Sequence, residues 1–113
     1  MSKNTDFVIE DGILKKYAGN DVHVVVPQNV KKIAKWTFIG CKYLESITLP
    51  EGLTEIGERA FCNCKSLKKL VLPNSVTNIE KEAFTLCSGL KEIVFNSRIE
   101  YVGDYAFSEC ISL

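Results

Sequence analysis

The stretch ESITLPEGLTEIGERAFCNCKSL fills residues 45–67. It begins by alternating: Ile47 and Leu49 are apolar, Ser46 and Thr48 polar, as on a half-buried strand. Pro50 then ends the strand, because proline has no N–H to give to a ladder. In the last part, ERAFCNCKSL, the residues Ala60, Phe61, Cys64 and Leu67 recur at helical spacing, which predicts a short helix with one apolar face. A strand, a turn and a short helix within 23 residues cannot bury their own apolar faces. Like units must pack on either side.

The flanking sequence supplies them. VHVVVPQNVKKIAKWTFIGCKYL precedes at 22–44, KKLVLPNSVTNIEKEAFTLCSGL follows at 68–90, and KEIVFNSRIEYVGDYAFSECISL completes 91–113. These are four units of 23 residues without insertions. The apolar columns run Val24, Ile47, Leu70, Ile93 at position 3 and Val26, Leu49, Leu72, Phe95 at position 5. Further columns are Val30, Leu53, Val76, Ile99; Ile33, Ile56, Ile79, Val102; and Leu44, Leu67, Leu90, Leu113. Positions 16 and 17 are Thr37-Phe38 and then Ala-Phe three times, and position 20 is Cys41, Cys64, Cys87, Cys110. Self-similarity at such a period signals a solenoid in which stacked units share one core.

Residues 1–21 lie outside the period. FVIEDGILKKY alternates on both sides of Asp11-Gly12, a pair favoured where both central residues of a hairpin turn need positive φ. Residues 7–17 are expected to form a β-hairpin that caps the first unit, with AGND at 18–21 as the link. The last unit closes on Leu113 with no cap of its own, which leaves apolar groups at that end. The expectation is a fragment of a longer array, or an end face that meets a partner, another copy included.

Composition sets outer limits. Hydrophobic residues make up 46% and charged residues 25%, ordinary for a globular domain. Fourteen basic and 14 acidic residues cancel, so no concentrated basic face is expected and nucleic acid is not an expected partner. No apolar run approaches the ~18 residues needed to insert across a membrane. MSKNTDFVIEDG has no apolar core of a secretory signal, so the protein is intracellular or its signal lies outside this stretch.

The five cysteines invite a chemical reading, and spacing argues against one. Cys62-x-Cys64 lacks the two-to-four-residue spacing of zinc knuckles, and the only histidine, His23, is far away in sequence. Stacked cysteines at the ~4.8 Å strand spacing would have parallel Cβ vectors, poor geometry for a disulfide. Small buried thiols filling a core layer are expected instead. A catalytic thiol needs an activating base within ~3 Å, and His23 sits on the strand, across the coil from the cysteine column. Cys62 has no counterpart: its column holds Ile39, Thr85 and Ser108. No glycine-rich phosphate loop is present, and acidic pairs such as Glu80-Glu82 recur at no repeat-related site. No metal site, cofactor or enzyme activity is expected.

Candidate contact residues come from the outward positions. Position 2 gives His23, Ser46, Lys69 and Glu92; position 4 gives Val25, Thr48, Val71 and Val94, a stripe of β-branched residues. Such a stripe serves strand propensity or forms a contact surface. Trp36, Tyr43, Tyr101 and Tyr105 fall outside the core columns, as interface anchors or as partial packing. His23, Lys69, Val25, Thr48, Val71, Val94, Trp36, Tyr101 and Tyr105 are the candidate partner-binding set.

The run SITLPEGLTEIGERAFCNCKSLKKLVLPNSVTNIEKEAF closely resembles leucine-rich repeats of the BspA-like type, which repeat LxxIxLPxxVxxIxxxAFxxCxxL. The resemblance covers 22–113, and FVIEDGILKKYAGND is similar to starts seen in that family. It departs from the commoner leucine-rich pattern at Asn29, Gly52, Ser75 and Arg98, where an Asn or Cys ladder would stand. The resemblance implies an α/β repeat solenoid, a right-handed coil with a parallel sheet on one side and short helical segments on the other. It also implies a non-catalytic protein-interaction or adhesion module within a larger bacterial surface or secreted protein. The alternative is a structural spacer or self-associating solenoid whose C-terminal end stacks on another copy.

Overall fold

The computed structural model describes residues 4–113. A single 3-10 turn at Asn4–Asp6 leads into strands β1 (Phe7–Glu10) and β2 (Ile13–Tyr17). These form an antiparallel hairpin that pairs Phe7 with Tyr17 and Glu10 with Ile13. Asp11 and Gly12 take φ of 52° and 78°, the left-handed pair that such a turn requires.

Each coil then adds a three-residue strand at positions 2–4 and a two-residue strand at positions 11–12. The first set is β3 (His23–Val25), β5 (Ser46–Thr48), β7 (Lys69–Val71) and β9 (Glu92–Val94). The second is β4 (Lys32–Ile33), β6 (Glu55–Ile56), β8 (Asn78–Ile79) and β10 (Tyr101–Val102). The widest sheet is built from the second set: six strands in the order β1-β2-β4-β6-β8-β10, parallel beyond the hairpin. The hairpin is therefore spliced into the solenoid, with Leu14 beside Ile33 and fully buried. The longer strands that the proline pattern marks form two separate pairs, β3-β5 and β7-β9.

The short helical segments expected at positions 14–23 are absent: no α-helix occurs among the described residues. Stacked turns replace them. In coil 2, Ala60, Cys62, Cys64 and Leu67 donate N–H to carbonyls three residues back. The alternate N–H groups leave the coil: Arg59 donates to Lys81, Phe61 to Ala83 and Asn63 to Thr85. Turning every second N–H outward requires a change of backbone hand. Position 15 (Trp36, Arg59, Glu82, Tyr105) and position 19 (Gly40, Asn63, Leu86, Glu109) all take positive φ. A helix cannot continue through such residues. The apolar spacing at 16, 17, 20 and 23 suits this turn as well as it suits a helix, so periodicity within one unit could not separate them.

Packing follows the columns. Phe38, Phe61, Phe84 and Phe107 stack nearly parallel, with centroids 4.9, 4.9 and 5.3 Å apart. The hairpin extends this spine, because Tyr17 lies 5.1 Å from Phe38 and Phe7 lies 5.2 Å from Tyr17. Each aromatic contact adds about 0.5–1.5 kcal/mol beyond area burial. Thr37 stands where later coils have alanine, and its buried hydroxyl donates its one hydrogen to Ala34 C=O at 2.7 Å, with Leu14 C=O as the alternative acceptor at 3.2 Å.

Candidate functional site

The outward positions of β3, β5, β7 and β9 make one face. Residues at positions 2 and 4 are exposed, while position 3 between them is buried in the first three coils. Parallel register aligns Val25 with Thr48 and Val71 with Val94. The result is a β-branched column, with Val25 61% exposed, beside a polar column. In the polar column His23 Nδ1 and Ser46 Oγ share a 2.7 Å hydrogen bond, and Lys69 Nζ lies 3.8 Å from Glu92 Oε1. An exposed pair of this kind contributes about 0–1 kcal/mol, so these charges are free to exchange partners.

The structure thus brings His23, Lys69, Val25, Thr48, Val71 and Val94 together and sets the aromatic candidates elsewhere. Trp36 and Tyr105 occupy the left-handed position 15 of the turn stack, both exposed, and the coils between them place Arg59 and Glu82 there, joined at 2.9 Å. Lys35 Nζ sits 5.2 Å from the centre of the Trp36 ring. Tyr101 lies on the edge strand β10 of the six-stranded sheet. No single surface contains all nine candidates.

The cysteine column has the environment of core filler. Cys64, Cys87 and Cys110 are buried, and their thiols donate to the carbonyls of Phe38, Phe61 and Phe84 at 3.1, 3.1 and 3.2 Å. Burial pushes the Cys87 thiol up to about 12 and carries Cys64 still higher. Thiols held this far above their usual range are not thiolates near neutral pH and are poor nucleophiles. Cys41 departs from the expected column: it is only half-buried, and burial raises its thiol pKa. Cys62 is also half-buried; burial raises its pKa while the neighbouring Arg59 charge pulls it down. Among the described residues no three His, Cys, Asp or Glu side chains gather as a metal site would require. No helix among them is long and apolar enough to cross a membrane.

One feature of the strand face escapes sequence reading. β5 and β7 are neighbours in space but are not paired. A cleft of about 270 Å³ opens between them, lined by Ile47, Thr48, Leu49, Glu51, Val71 and Pro73. Ile47, Leu49, Val71 and Pro73 all fit the repeat columns, so the apolar walls do not signal the gap. A second, shallower hollow of about 420 Å³ lies at Asn20, Asp21, Val22 and His23, where the link joins the first coil.

Short parallel strands, stacked turns and in-register apolar columns define a leucine-rich-repeat solenoid. The family model for the BspA type leucine rich repeat region matches residues 9–113 in six copies, and the chain belongs to that family. The match takes in most of the hairpin as well as the 23-residue units. Among solved structures, a leucine-rich repeat protein from Bacteroides ovatus is 35% identical over 75% of this chain, with a TM-score of 0.69. One from Eubacterium ventriosum is 28% identical over 100% of the chain, with a TM-score of 0.85. The pneumococcal vaccine antigen PcpA is 25% identical over 97%, with a TM-score of 0.60. The chain spans only 24%, 33% and 36% of those three chains. No curated protein shows significant similarity to it.

Proposed function

We propose that this chain is a non-catalytic protein-binding module, working in adhesion as part of a larger bacterial protein displayed at the cell surface or secreted. The observation that carries this reading is the exposed β-branched column Val25, Thr48, Val71, Val94 on a face of paired strands. Rigid strands present these residues at fixed spacing, so a partner meets a preorganised surface and little ordering entropy is lost. Localisation rests on analogy: one similar structure is described as a vaccine antigen, a role that suits an exposed protein. Cancelling charge supports a protein partner over nucleic acid. The test is a panel of candidate protein ligands measured by biolayer interferometry, with Val25→Lys and Val71→Lys introduced together. Both sites are exposed, so the variant keeps its fold. Binding lost with the thermal transition intact supports the reading; unchanged binding to every ligand refutes it.

A second reading is favoured by the last coil. Phe95 (53% exposed), Val102, Ile111 (78%) and Leu113 are uncovered there, whereas Leu72 and Ile79, the matching residues one coil earlier, are buried. Such a face is suited to receive another copy or a further coil of the same repeat. Light scattering at tens of micromolar tests self-association; a monomer there removes it.

A further inference from the structure

We infer that the cleft between β5 and β7 is a binding site for an extended peptide segment carrying one bulky apolar side chain next to a lysine or arginine. The inference deepens the protein-binding reading of the strand face and rests on it for the identity of the partner. Three observations lead to it. First, the bond that closes each neighbouring strand pair is missing here. Val26 N–H donates to Thr48 C=O at 3.0 Å and Leu72 N–H to Val94 C=O at 3.0 Å, but Leu49 N–H makes no such bond to Val71 C=O. At the other end of the strands Lys68 N–H still donates to Glu45 C=O at 3.1 Å, so the gap is confined to their C-terminal ends. Second, the core residues beside the gap stay buried but keep a trace of exposure that their counterparts lack. Ile47 and Leu49 are 7% and 8% exposed, against 0% and 3% for Leu70 and Leu72 at the same positions one coil on. Third, the walls of the cleft are Ile47, Leu49, Val71 and Pro73, and the single charged residue at its rim is Glu51, which is exposed and belongs to neither ion pair described above.

These features define the occupant. Leu49 N–H and Val71 C=O lack each other as partners, and an extended peptide lying across the opening offers them an acceptor and a donor. The apolar walls accept one branched or aromatic side chain and exclude water around it. The Glu51 carboxylate at the rim selects a cation for the residue next to that side chain and disfavours an anion. The ladder on either side stays closed, so the site is a single notch in an otherwise paired face.

The experiment uses ¹⁵N-labelled protein and the blocked tetrapeptide acetyl-Thr-Phe-Lys-Thr-amide, with a control peptide in which Glu replaces Lys. In the free protein the Leu49 amide is expected to exchange with solvent at least about tenfold faster than the Leu72 amide, because it has no native partner to protect it. Added peptide should slow that exchange and shift the amide signals of Leu49, Glu51 and Val71. The Glu control peptide, and the Lys peptide on the Glu51→Lys variant, should each bind about fivefold more weakly. Equal protection of Leu49 and Leu72 in the free protein overturns the proposal, as do shifts that map away from the cleft or binding indifferent to Glu51. The two readings fail separately. If Val25→Lys with Val71→Lys abolishes partner binding while the tetrapeptide does not bind, the strand face stands and the cleft falls. If the tetrapeptide binds at the cleft but no protein ligand is lost with those substitutions, the cleft stands and the wider face falls.

Discussion

Replacing Gly40 with alanine distinguishes stacked turns from helices by the sign of the stability change. Gly40 occupies position 19 of its coil with φ at 69°, and its N–H donates to Cys62 C=O of the next coil at 2.8 Å. A Cβ built there meets no atom within 4 Å, so alanine introduces no clash. What remains is backbone energy. A non-glycine residue in the left-handed region costs about 1–2 kcal/mol. Alanine also lowers the entropy of the unfolded chain, which returns about 0.5–1 kcal/mol. The net expectation is a loss of about 1 kcal/mol. In a helix the same change would gain about 1 kcal/mol, since alanine is the better helix former. Two accounts of one residue thus differ by about 2 kcal/mol, well beyond the error of a urea titration with constant slope. Gly40→Asn offers an internal check, because Asn63 holds the equivalent position at φ 63° and asparagine tolerates that region. The expected order of midpoints is wild type, then Gly40→Asn, then Gly40→Ala. A rise in the midpoint of Gly40→Ala would refute the stacked-turn account.

Three further outcomes follow from the packing. Phe61, fully buried with a ring 4.9 Å away on each side, should lose about 3–5 kcal/mol when truncated to alanine. Phe107, half-buried in the last coil, should lose less by the same denaturation assay. A thiol reagent on native protein should modify Cys62 and Cys41 first and leave Cys64 and Cys87 untouched until denaturant is added. Burial holds these thiol pKa values above the ordinary value, so the Cys62 rate should climb with pH through the alkaline range as thiolate accumulates; native Cys64 reacting as fast as in denaturant would refute the buried column. Asn96 replaces the column proline and stitches coils 3 and 4: its side-chain N–H donates to Pro73 and Val76 C=O, and its Oδ1 accepts from Arg98 N–H at 2.6 Å. Asn96→Ala should cost about 1–3 kcal/mol by thermal or urea unfolding.

Much of the fold could be read from the sequence because a solenoid writes its contacts as columns. Val24, Ile47 and Leu70 share a buried position for the same reason that they share a residue class. Asp11-Gly12 marks its turn through a backbone requirement that few other pairs meet. The expected helices are absent for a specific cause. Periodicity within a unit reports which residues face inward and says nothing of where the N–H groups go. Leu86 and Glu82 carry no signature of positive φ, yet both adopt it because the next coil accepts the hydrogen bonds that a helix would have kept. The outer sheet was hidden for a similar reason. Two-residue strands such as Glu55–Ile56 are too short to alternate, and only the stacking of coils makes them strands.

The same distinction governs where function can be sought. A column that repeats a residue class is accounted for by stacking, since every coil needs it; that covers the phenylalanines, the leucines and the cysteines. Recognition comes from exposed positions, most specifically where one coil differs from its neighbours. Thr48 interrupts three valines, Glu51 stands where the other coils carry Gln28, Asn74 and Ser97, and both line the one gap in the strand face. Trp36 and Tyr105 break the charged pattern of Arg59 and Glu82 at the turn stack. Cys62 breaks its column too, but it meets only a raised pKa and a half-buried setting. Difference from the column is therefore not sufficient for a site. The cleft between β5 and β7 adds what Cys62 lacks: backbone groups not paired across the gap, apolar walls and a charge at the rim, converging on one place.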